Sequence, residues 1–327
     1  MNGSLRGRFL LGLRRYRIHR ALLAQGFRSR RQSFEHQSYF VYEGGVAEGT
    51  PLVLLHGFLD SSHTFRRVTP ELLKSHRVYL IDLPGFGRSA LPDIRALWHI
   101  PVLGRMIARF LFDAPTSGAL ALKEAIIFTH SLGGLVAAHA TLYLHKVHGI
   151  SPIRELHMIA PGLMRLPPDH RDEIRQMMFP ETTGEVRALL NAIYGDRAPE
   201  LHEFILRELL RQWSRPGYAY LADNTIEEEA RAFLTGARLR QLHLPVHMYW
   251  GTDDRITEVG MGRRIQKENR SIRLHTFRAA GHALHVEQPA ELLGVFYEQL
   301  NRASIKRTPR RPADSRARKQ KRHPRSK

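Results

Sequence analysis

Residues 126–134 read IIFTHSLGG, an apolar run that ends at a serine and two glycines. The run predicts a buried strand, the pattern from Leu132 onward predicts a helix, and Ser131 lies on the sharp turn between them. Such a turn raises the serine hydroxyl above the sheet, and Gly133 lets the helix pass close to the strand. The Leu132 N–H is placed to donate to an oxyanion. The stretch predicts a nucleophilic serine, although a serine in an isolated match would only cap the helix.

A second loop predicts the other half of an oxyanion hole. His56, Gly57 and Phe58 follow directly after the apolar residues 52–55, which predict a strand. An exposed N–H at Phe58 would supply a second oxyanion donor, and Gly57 would support the turn. We expect His56 to brace this loop, because a tight turn needs a polar side chain to satisfy its buried backbone groups.

An acid and a histidine follow two later predicted strands. Asp253 and Asp254 come after the apolar residues 246–250, and His282 comes after residues 272–277. Serine, acid and histidine therefore occur in that order, each just beyond a different strand. This order and placement predict a catalytic triad.

Strand-like and helix-like segments alternate along most of the chain, which predicts an α/β fold with a mainly parallel sheet and helices on both faces. Residues 161–244 contain only helical patterns and predict an inserted helical cap. We place the core at 35–160 and 245–303, a basic amphipathic extension at 1–34, and a disordered basic tail at 304–327. The strands are predicted at 51–55, 78–81, 125–128, 156–159, 246–250 and 272–277, and the main core helices at 94–112, 132–147 and 290–301.

Taken together, these motifs resemble those of the α/β-hydrolase family. Residues 82–89 read DLPGFGRS, similar to the family's D-x-P-G-x-G-x-S segment, and the likeness covers roughly residues 36 to 301. Within the family, the chain most resembles capped serine esterases of the monoacylglycerol lipase type and the related carbon–carbon bond hydrolases. Thr129 departs from the usual G-x-S-x-G pattern, since it stands where the first glycine is normally found.

The resemblance implies a role for each residue of the site. Ser131 would attack a carbonyl, His282 would take and return its proton, and an aspartate would orient the imidazole. The family pattern G-x-x-D, counted from the glycine that ends the strand, selects Asp254 over its neighbour Asp253. His285 is the rival of His282, but its position before the closing helix predicts a structural role.

The net charge of +19 belongs to the two ends of the chain. Residues 1–34 hold nine arginines and no acid, and residues 302–327 hold twelve lysines or arginines against Asp314. The interval between them is about neutral. The positive charge therefore indicates where the protein binds and says nothing about the reaction of its core. It predicts peripheral contact with an anionic membrane. Nucleic acid is the less favoured partner.

The N-terminal segment predicts an irregular amphipathic helix. Its apolar residues lie among arginines, a pattern typical of helices that rest on an anionic surface, and the alternative is a helix packed on the domain. No apolar run is long enough to cross a bilayer. We expect a cytoplasmic protein, although an arginine-rich start also resembles a mitochondrial transit peptide. The apolar residues are Leu5, Phe9, Leu10, Leu13, Tyr16 and Leu23.

No cofactor or metal is predicted. The chain has no cysteine, which excludes disulfides, thiolate metal sites and a cysteine nucleophile. Residues 85–90 fit the dinucleotide pattern G-x-G-x-x-A, but Pro92 and the lack of a directly following helix argue against a pyrophosphate site. His145 and His148 are expected to be an exposed pair at a helix end, and no H-E-x-x-H motif accompanies them.

The predicted function is hydrolysis of a small-molecule ester with a medium or long acyl chain. The same triad would serve carbon–carbon bond hydrolysis, or acyl transfer to an acceptor other than water. The non-enzymatic alternative is a nucleic-acid-associated protein with a vestigial hydrolase core, against which the intact triad argues. The cap residues expected to hold the acyl chain are Met177, Met178, Phe179, Leu189, Leu190, Phe204, Ile205 and Leu209.

Overall fold

A computed structural model of the protein describes residues 3–91, 99–114, 118–165 and 167–307. An eight-stranded sheet with the strand order β1-β2-β4-β3-β5-β6-β7-β8 forms its centre. β2 pairs antiparallel with β1 and β4, and the other neighbouring strands are parallel. The predicted fold class, a mainly parallel sheet with helices, is confirmed. The strands are β1 (Arg28–Phe34), β2 (Gln37–Gly45), β3 (Thr50–Leu55), β4 (His76–Asp82), β5 (Ala125–His130), β6 (Ile153–Ile159), β7 (Val246–Gly251) and β8 (Arg273–Phe277).

The helices follow the strands in the order that a parallel sheet requires, because each return between parallel strands needs a crossover. The longest crossover lies between β6 and β7 and contains α5 to α9. The helices are α1 (Gly3–Ala24), α2 (Thr69–Leu72), α3 (Ile100–Phe112), α4 (Leu132–His148), α5 (Pro168–Met178), α6 (Thr183–Tyr194), α7 (Glu203–Trp213), α8 (Pro216–Ala232), α9 (Gly236–Arg240), α10 (Val259–Glu268), α11 (Leu284–Glu287) and α12 (Pro289–Arg307).

The sheet begins before the predicted core boundary at residue 35. β1 reads RSRRQSF, lies at one edge of the sheet, and ends at the buried Phe34. Its other side chains are polar and mostly exposed, so it has no apolar run to indicate a strand. The segment 28–34 therefore belongs to the sheet and not to an N-terminal extension.

The C-terminal helix extends further than its apolar pattern. α12 runs to Arg307, so the first four residues of the tail predicted at 304–327 are helical. Residues 308–327, and residues 94–98 of the predicted helix 94–112, lie outside the described residues. No helix in the described part of the chain is long and apolar enough to cross a membrane.

Several histidines are buried in the core, and their burial predicts acid sensitivity. Burial, which disfavours the charged imidazole, is the main cause that lowers the pKa of both His247 and His285 from 6.5 to about 3. The unfolded chain thus binds protons that the folded protein rejects. Stability is unaffected above about pH 6.5 and falls as the pH drops below that value toward the folded pKa.

We expect the free energy of unfolding to fall by on the order of 1 kcal/mol per pH unit for each such histidine below about pH 6.5. Urea titrations at about pH 7.5 and about pH 5 measure this slope. His247→Gln should flatten the slope, because it removes one titrating group. His148→Gln, at an exposed helix end, is the matched control and should leave the slope unchanged. Equal slopes in His247→Gln and the unsubstituted protein would contradict the prediction.

Candidate active site

Ser131 stands on a strained turn at the end of β5. Its φ of 51° and ψ of −121° lie in a region that a non-glycine residue rarely adopts. The Ser131 N–H donates to the carbonyl of Ile159 over 2.9 Å, which ties the turn to the end of the neighbouring strand β6. α4 begins at the next residue, Leu132. Strain of this kind persists only where the surrounding structure enforces it, and it is concentrated at functional sites.

Two glycines allow the turn to form. A Cβ on Gly133 would lie 2.4 Å from the carbonyl oxygen of Leu55, so only glycine lets α4 pack this close to the end of β3. A Cβ on Gly57 would lie 2.9 Å from the Cβ of Ser131. Gly133 therefore lets the helix pass close to the strand, as the sequence predicts, and Gly57 lets the loop after β3 approach the serine.

Asp254 and His282 form a buried pair beside this turn. The His282 Nδ1–H donates to Asp254 Oδ2 over 2.9 Å, and both side chains are almost fully buried. Asp254 Oδ1 accepts the N–H groups of Ile256 and Thr257 at 2.8 and 3.0 Å. The Thr257 hydroxyl donates to Oδ2 over 3.0 Å. These three donors hold the carboxylate in place, and its hydrogen bond with His282 fixes the imidazole proton on Nδ1.

The structure separates the two rival residues from this pair. Asp253 is exposed and accepts a hydrogen bond from Thr252. His285 is buried away from Asp254, where its Nε2 lies 2.7 Å from the hydroxyl of Thr64. Neither residue is placed to exchange a proton with a substrate at Ser131.

The two expected oxyanion donors are the N–H of Phe58, in the loop after β3, and the N–H of Leu132, at the start of α4. No described residue accepts a hydrogen bond from the N–H of Phe58 or of Leu132. His56 braces the loop from below: its Nδ1–H donates to the carbonyl of Gly57 over 2.7 Å, and its Nε2 accepts the N–H of Leu83 over 3.0 Å. The tautomer of His56 is therefore fixed by two backbone groups.

A small cavity opens onto Ser131 and His282. Its volume is about 40 Å³, room for no more than a few water molecules. Apart from the serine and the histidine, the lining consists of Phe58, Leu59, Asp60, His130, Met178, Leu190, Ile193, Tyr194, Trp213 and Ile256.

Only two of the eight expected acyl-binding residues line this cavity. Met178 and Leu190 line the cavity. Ile205 and Leu209 pack against Leu11 of α1 instead. Sequence reasoning did not predict that α1 covers this part of the helical segment, because the contact joins residues nearly two hundred positions apart.

Three polar residues that line the cavity were not identified from the sequence. The Tyr194 hydroxyl donates to Asp60 Oδ2 over 3.0 Å and so links α6 to the loop after β3. Burial, and next the Asp60 carboxylate, raise the pKa of Tyr194 well above its usual value. His130 donates from Nε2 to the carbonyl of His282 over 3.1 Å, and its burial lowers its pKa well below 6.5. These are long-range contacts, for which the local sequence contains no signal.

The segment 82–89 has a structural role. Asp82 Oδ1 accepts the N–H of Ser62 over 2.7 Å, and Oδ2 accepts the N–H of Arg88 over 2.8 Å. The Ser89 hydroxyl donates to the Asp82 carbonyl over 2.6 Å. These bonds fold the segment against its own strand and tie it to Ser62. Gly87 has φ +57° and a Cβ there would lie 2.2 Å from Asp82 Oδ2, which explains the glycine.

The two histidines at the end of α4 differ in exposure. His145 is half-buried, and its Nε2 donates to the carbonyl of Leu242 over 2.7 Å, so the expected exposed pair is wrong for this residue. His148 is exposed. Among the described residues no group of three His, Asp or Glu side chains could hold a metal ion.

Comparison with known proteins identifies the family of the chain. Residues 52–295 match the family described as the alpha/beta hydrolase family. The chain belongs to this family. The resemblance drawn from the motifs is thereby confirmed, and the protein is an enzyme of the hydrolase kind.

Individual relatives are distant but cover most of the chain. The protein is 25% identical over 248 residues to the uncharacterized hydrolase YugF of Bacillus subtilis. The aligned residues cover 73% of this chain and 85% of that protein. It is 27% identical over 274 residues to a pimeloyl-[acyl-carrier protein] methyl ester esterase of Chromobacterium violaceum, over 78% of this chain and 96% of that protein. The crystal structure of a bacterial membrane phospholipase A superposes with a TM-score of 0.73 at 20% identity, covering 91% and 92% of the two chains. That last likeness shows the fold alone.

Proposed function

We propose that this alpha/beta hydrolase is a serine carboxylesterase that acts on an ester with a lipid-like acyl chain. The observation that carries the proposal is the hydrogen-bonded pair Asp254–His282, because the histidine of this pair lines the same cavity as Ser131. Esterase activity in the Chromobacterium violaceum relative supports the choice of bond. The apolar lining supports the acyl chain, since seven of the twelve residues that line the cavity have apolar side chains.

In the proposed mechanism, Ser131 Oγ attacks the ester carbonyl carbon while His282 Nε2 takes the hydroxyl proton. Asp254 holds the imidazole in the required tautomer and stabilises its positive charge. The N–H groups of Phe58 and Leu132 receive the oxyanion. The tetrahedral intermediate then expels the alkoxide, which leaves as an alcohol with the proton from His282.

Water completes the cycle. It attacks the acyl-enzyme carbonyl while His282 takes one of its protons, and the second tetrahedral intermediate releases the acid and returns the proton to Ser131 Oγ. The net reaction consumes one ester and one water and gives one acid and one alcohol. The helices between β6 and β7 would exclude bulk water during the first step, because they close the cavity above Ser131.

Hydrolysis of p-nitrophenyl esters of increasing chain length tests the proposal, with Ser131→Ala protein as the blank. We expect kcat/KM to rise from acetyl to octanoyl by up to about fourfold per methylene, the value of a buried CH₂. Hydrolysis no faster than the blank for every ester would overturn the esterase proposal. A preference for acetyl over hexanoyl esters would leave the esterase and reject the lipid-like acyl group.

A further inference from the structure

One face of α1 exposes large apolar side chains in a row. Leu5, Phe9 and Tyr16 are 52%, 61% and 54% exposed. Their spacing of four and seven residues places them on one side of the helix, because a helix repeats every 3.6 residues. We call these three residues the α1 outer face. Three of the six large apolar side chains that are exposed in the described part of the chain lie here.

The opposite face of α1 is fixed to the domain. Leu11 and Leu22 are buried, and a Cβ on Gly7 would lie 2.3 Å from the carbonyl oxygen of Phe204, so α1 and α7 touch at backbone distance. Arg15 donates to the side chain of Gln212 over 3.2 Å at the far end of α7. The orientation of α1 is thereby set, and the outer face cannot turn inward without breaking this packing.

Positive charge surrounds the outer face. Arg6, Arg8, Arg17 and Arg20 are exposed, and the first 34 residues contain no acidic side chain. An apolar stripe flanked by arginines matches a surface that offers acyl chains beneath anionic headgroups. A phosphate backbone would use the arginines but would leave Leu5, Phe9 and Tyr16 without a contact.

We propose that the α1 outer face is a docking surface for an anionic lipid bilayer. The three apolar side chains insert among the acyl chains, and the arginines bind the headgroups. α1 lies against α7, and the last residue of α7, Trp213, lines the cavity at Ser131. Docking thus places the bilayer beside the helices that cover the cavity. The link between the bilayer and the cavity rests on the proposed function, whereas the docking surface itself does not.

Binding to vesicles tests the surface. The probe is a vesicle of equal parts phosphatidylglycerol and phosphatidylcholine, sedimented with the full-length protein. Leu5→Ser/Phe9→Ser/Tyr16→Ser should weaken binding at least about tenfold. The matched control is Val46→Ser/Val147→Ser/Ile150→Ser, which removes the other three exposed apolar side chains and should change binding less than about twofold. Both variants should hydrolyse a soluble acetyl ester at the unsubstituted rate.

Two further measurements complete the test. A salt and lipid series separates binding by charge from insertion of apolar side chains, and a DNA-binding assay separates lipid from nucleic acid as the partner. Binding should fade as salt rises, and it should be weaker on phosphatidylcholine alone. Affinity for duplex DNA should be equal in the unsubstituted protein and the outer-face variant. Unchanged vesicle binding in that variant would overturn the proposal, and so would an equal loss in the control variant or an equal loss on DNA.

The vesicle assay is repeated with Ser131→Ala protein, which keeps the surface and lacks the nucleophile. Full binding by this protein supports the surface even if no ester is hydrolysed. Loss of binding in the outer-face variant with normal ester hydrolysis supports both proposals. The failure of the docking surface and the failure of the esterase are therefore distinct results.

Discussion

Replacing Asp254 with asparagine is expected to lower kcat on an ester by about four orders of magnitude while the protein stays folded. Asp254 Oδ2 accepts the Nδ1–H of His282 and the hydroxyl of Thr257. An asparagine fits the same space but offers only one acceptor oxygen. The amide nitrogen would favour the opposite tautomer of His282, in which Nε2 carries the proton. A protonated Nε2 cannot accept the proton of Ser131. Steady-state kinetics on a p-nitrophenyl ester measures kcat, and thermal unfolding reports the fold.

Asp253→Asn is the matched control, since it makes the same chemical change one residue away. Asp253 is exposed and its described contact is with Thr252, so kcat should change by less than about twofold. A larger loss in Asp253→Asn than in Asp254→Asn would show that the acid is assigned to the wrong residue. Similar small losses in both variants would show that His282 works without either carboxylate.

The strands at the centre of the sheet could be predicted because burial on both faces leaves a continuous apolar run. Residues 52–55 and 125–128 are such runs, and every residue in them is buried. β1 could not be found in the same way. It lies at the sheet edge, and its residues RSRRQSF carry no apolar pattern. Its place depends on pairing with β2, a contact that forms only in the folded chain.

In the candidate site, too, the residues next to strands could be predicted and the residues on packed helices could not. Ser131 follows β5 directly, and Asp254 and His282 lie in the loops that follow β7 and β8, so their meeting at one sheet edge follows from the parallel order of the strands. Tyr194 and Trp213 belong to helices between β6 and β7, and their positions depend on how those helices pack over the sheet. Periodicity predicts that such helices exist and does not predict their orientation. Thr257 had a usable signal, since an aspartate often binds backbone N–H groups two and three residues ahead of it.

The packing of α1 on α7 shows how the N-terminal helix is attached to the domain. The sequence left open a helix on an anionic surface and a helix packed on the domain, and the structure packs one face of α1 on the domain and leaves the other face exposed. Leu11 packs inward, whereas Phe9 is exposed. Leu13, expected on the same apolar side as Phe9, is half-buried. Amphipathicity alone cannot make this distinction, because the arginines are spread around the whole helix.

A fluorophosphonate probe is expected to label the protein on Ser131 and on no other residue. Ser131 Oγ would attack phosphorus, fluoride would leave, and His282 would take the serine proton, so the adduct mimics the tetrahedral intermediate. An ordinary serine is not labelled, because its hydroxyl has no adjacent base. Intact mass spectrometry should show one adduct per chain, and tryptic digestion should locate it in residues 124–146, where Ser131 is the only serine.

Three controls make the labelling specific to the proposed triad. Ser131→Ala protein should show no adduct, and labelling that survives this substitution would reject Ser131 as the nucleophile. Asp254→Asn should slow labelling by orders of magnitude, because activation of the serine depends on the same tautomer of His282 as ester hydrolysis does. Protein unfolded in urea should not react, since the Phe58 and Leu132 donors are then no longer held around the serine. Labelling that is fast in Asp254→Asn, while ester hydrolysis is lost, would place the role of Asp254 after acylation rather than in the first attack.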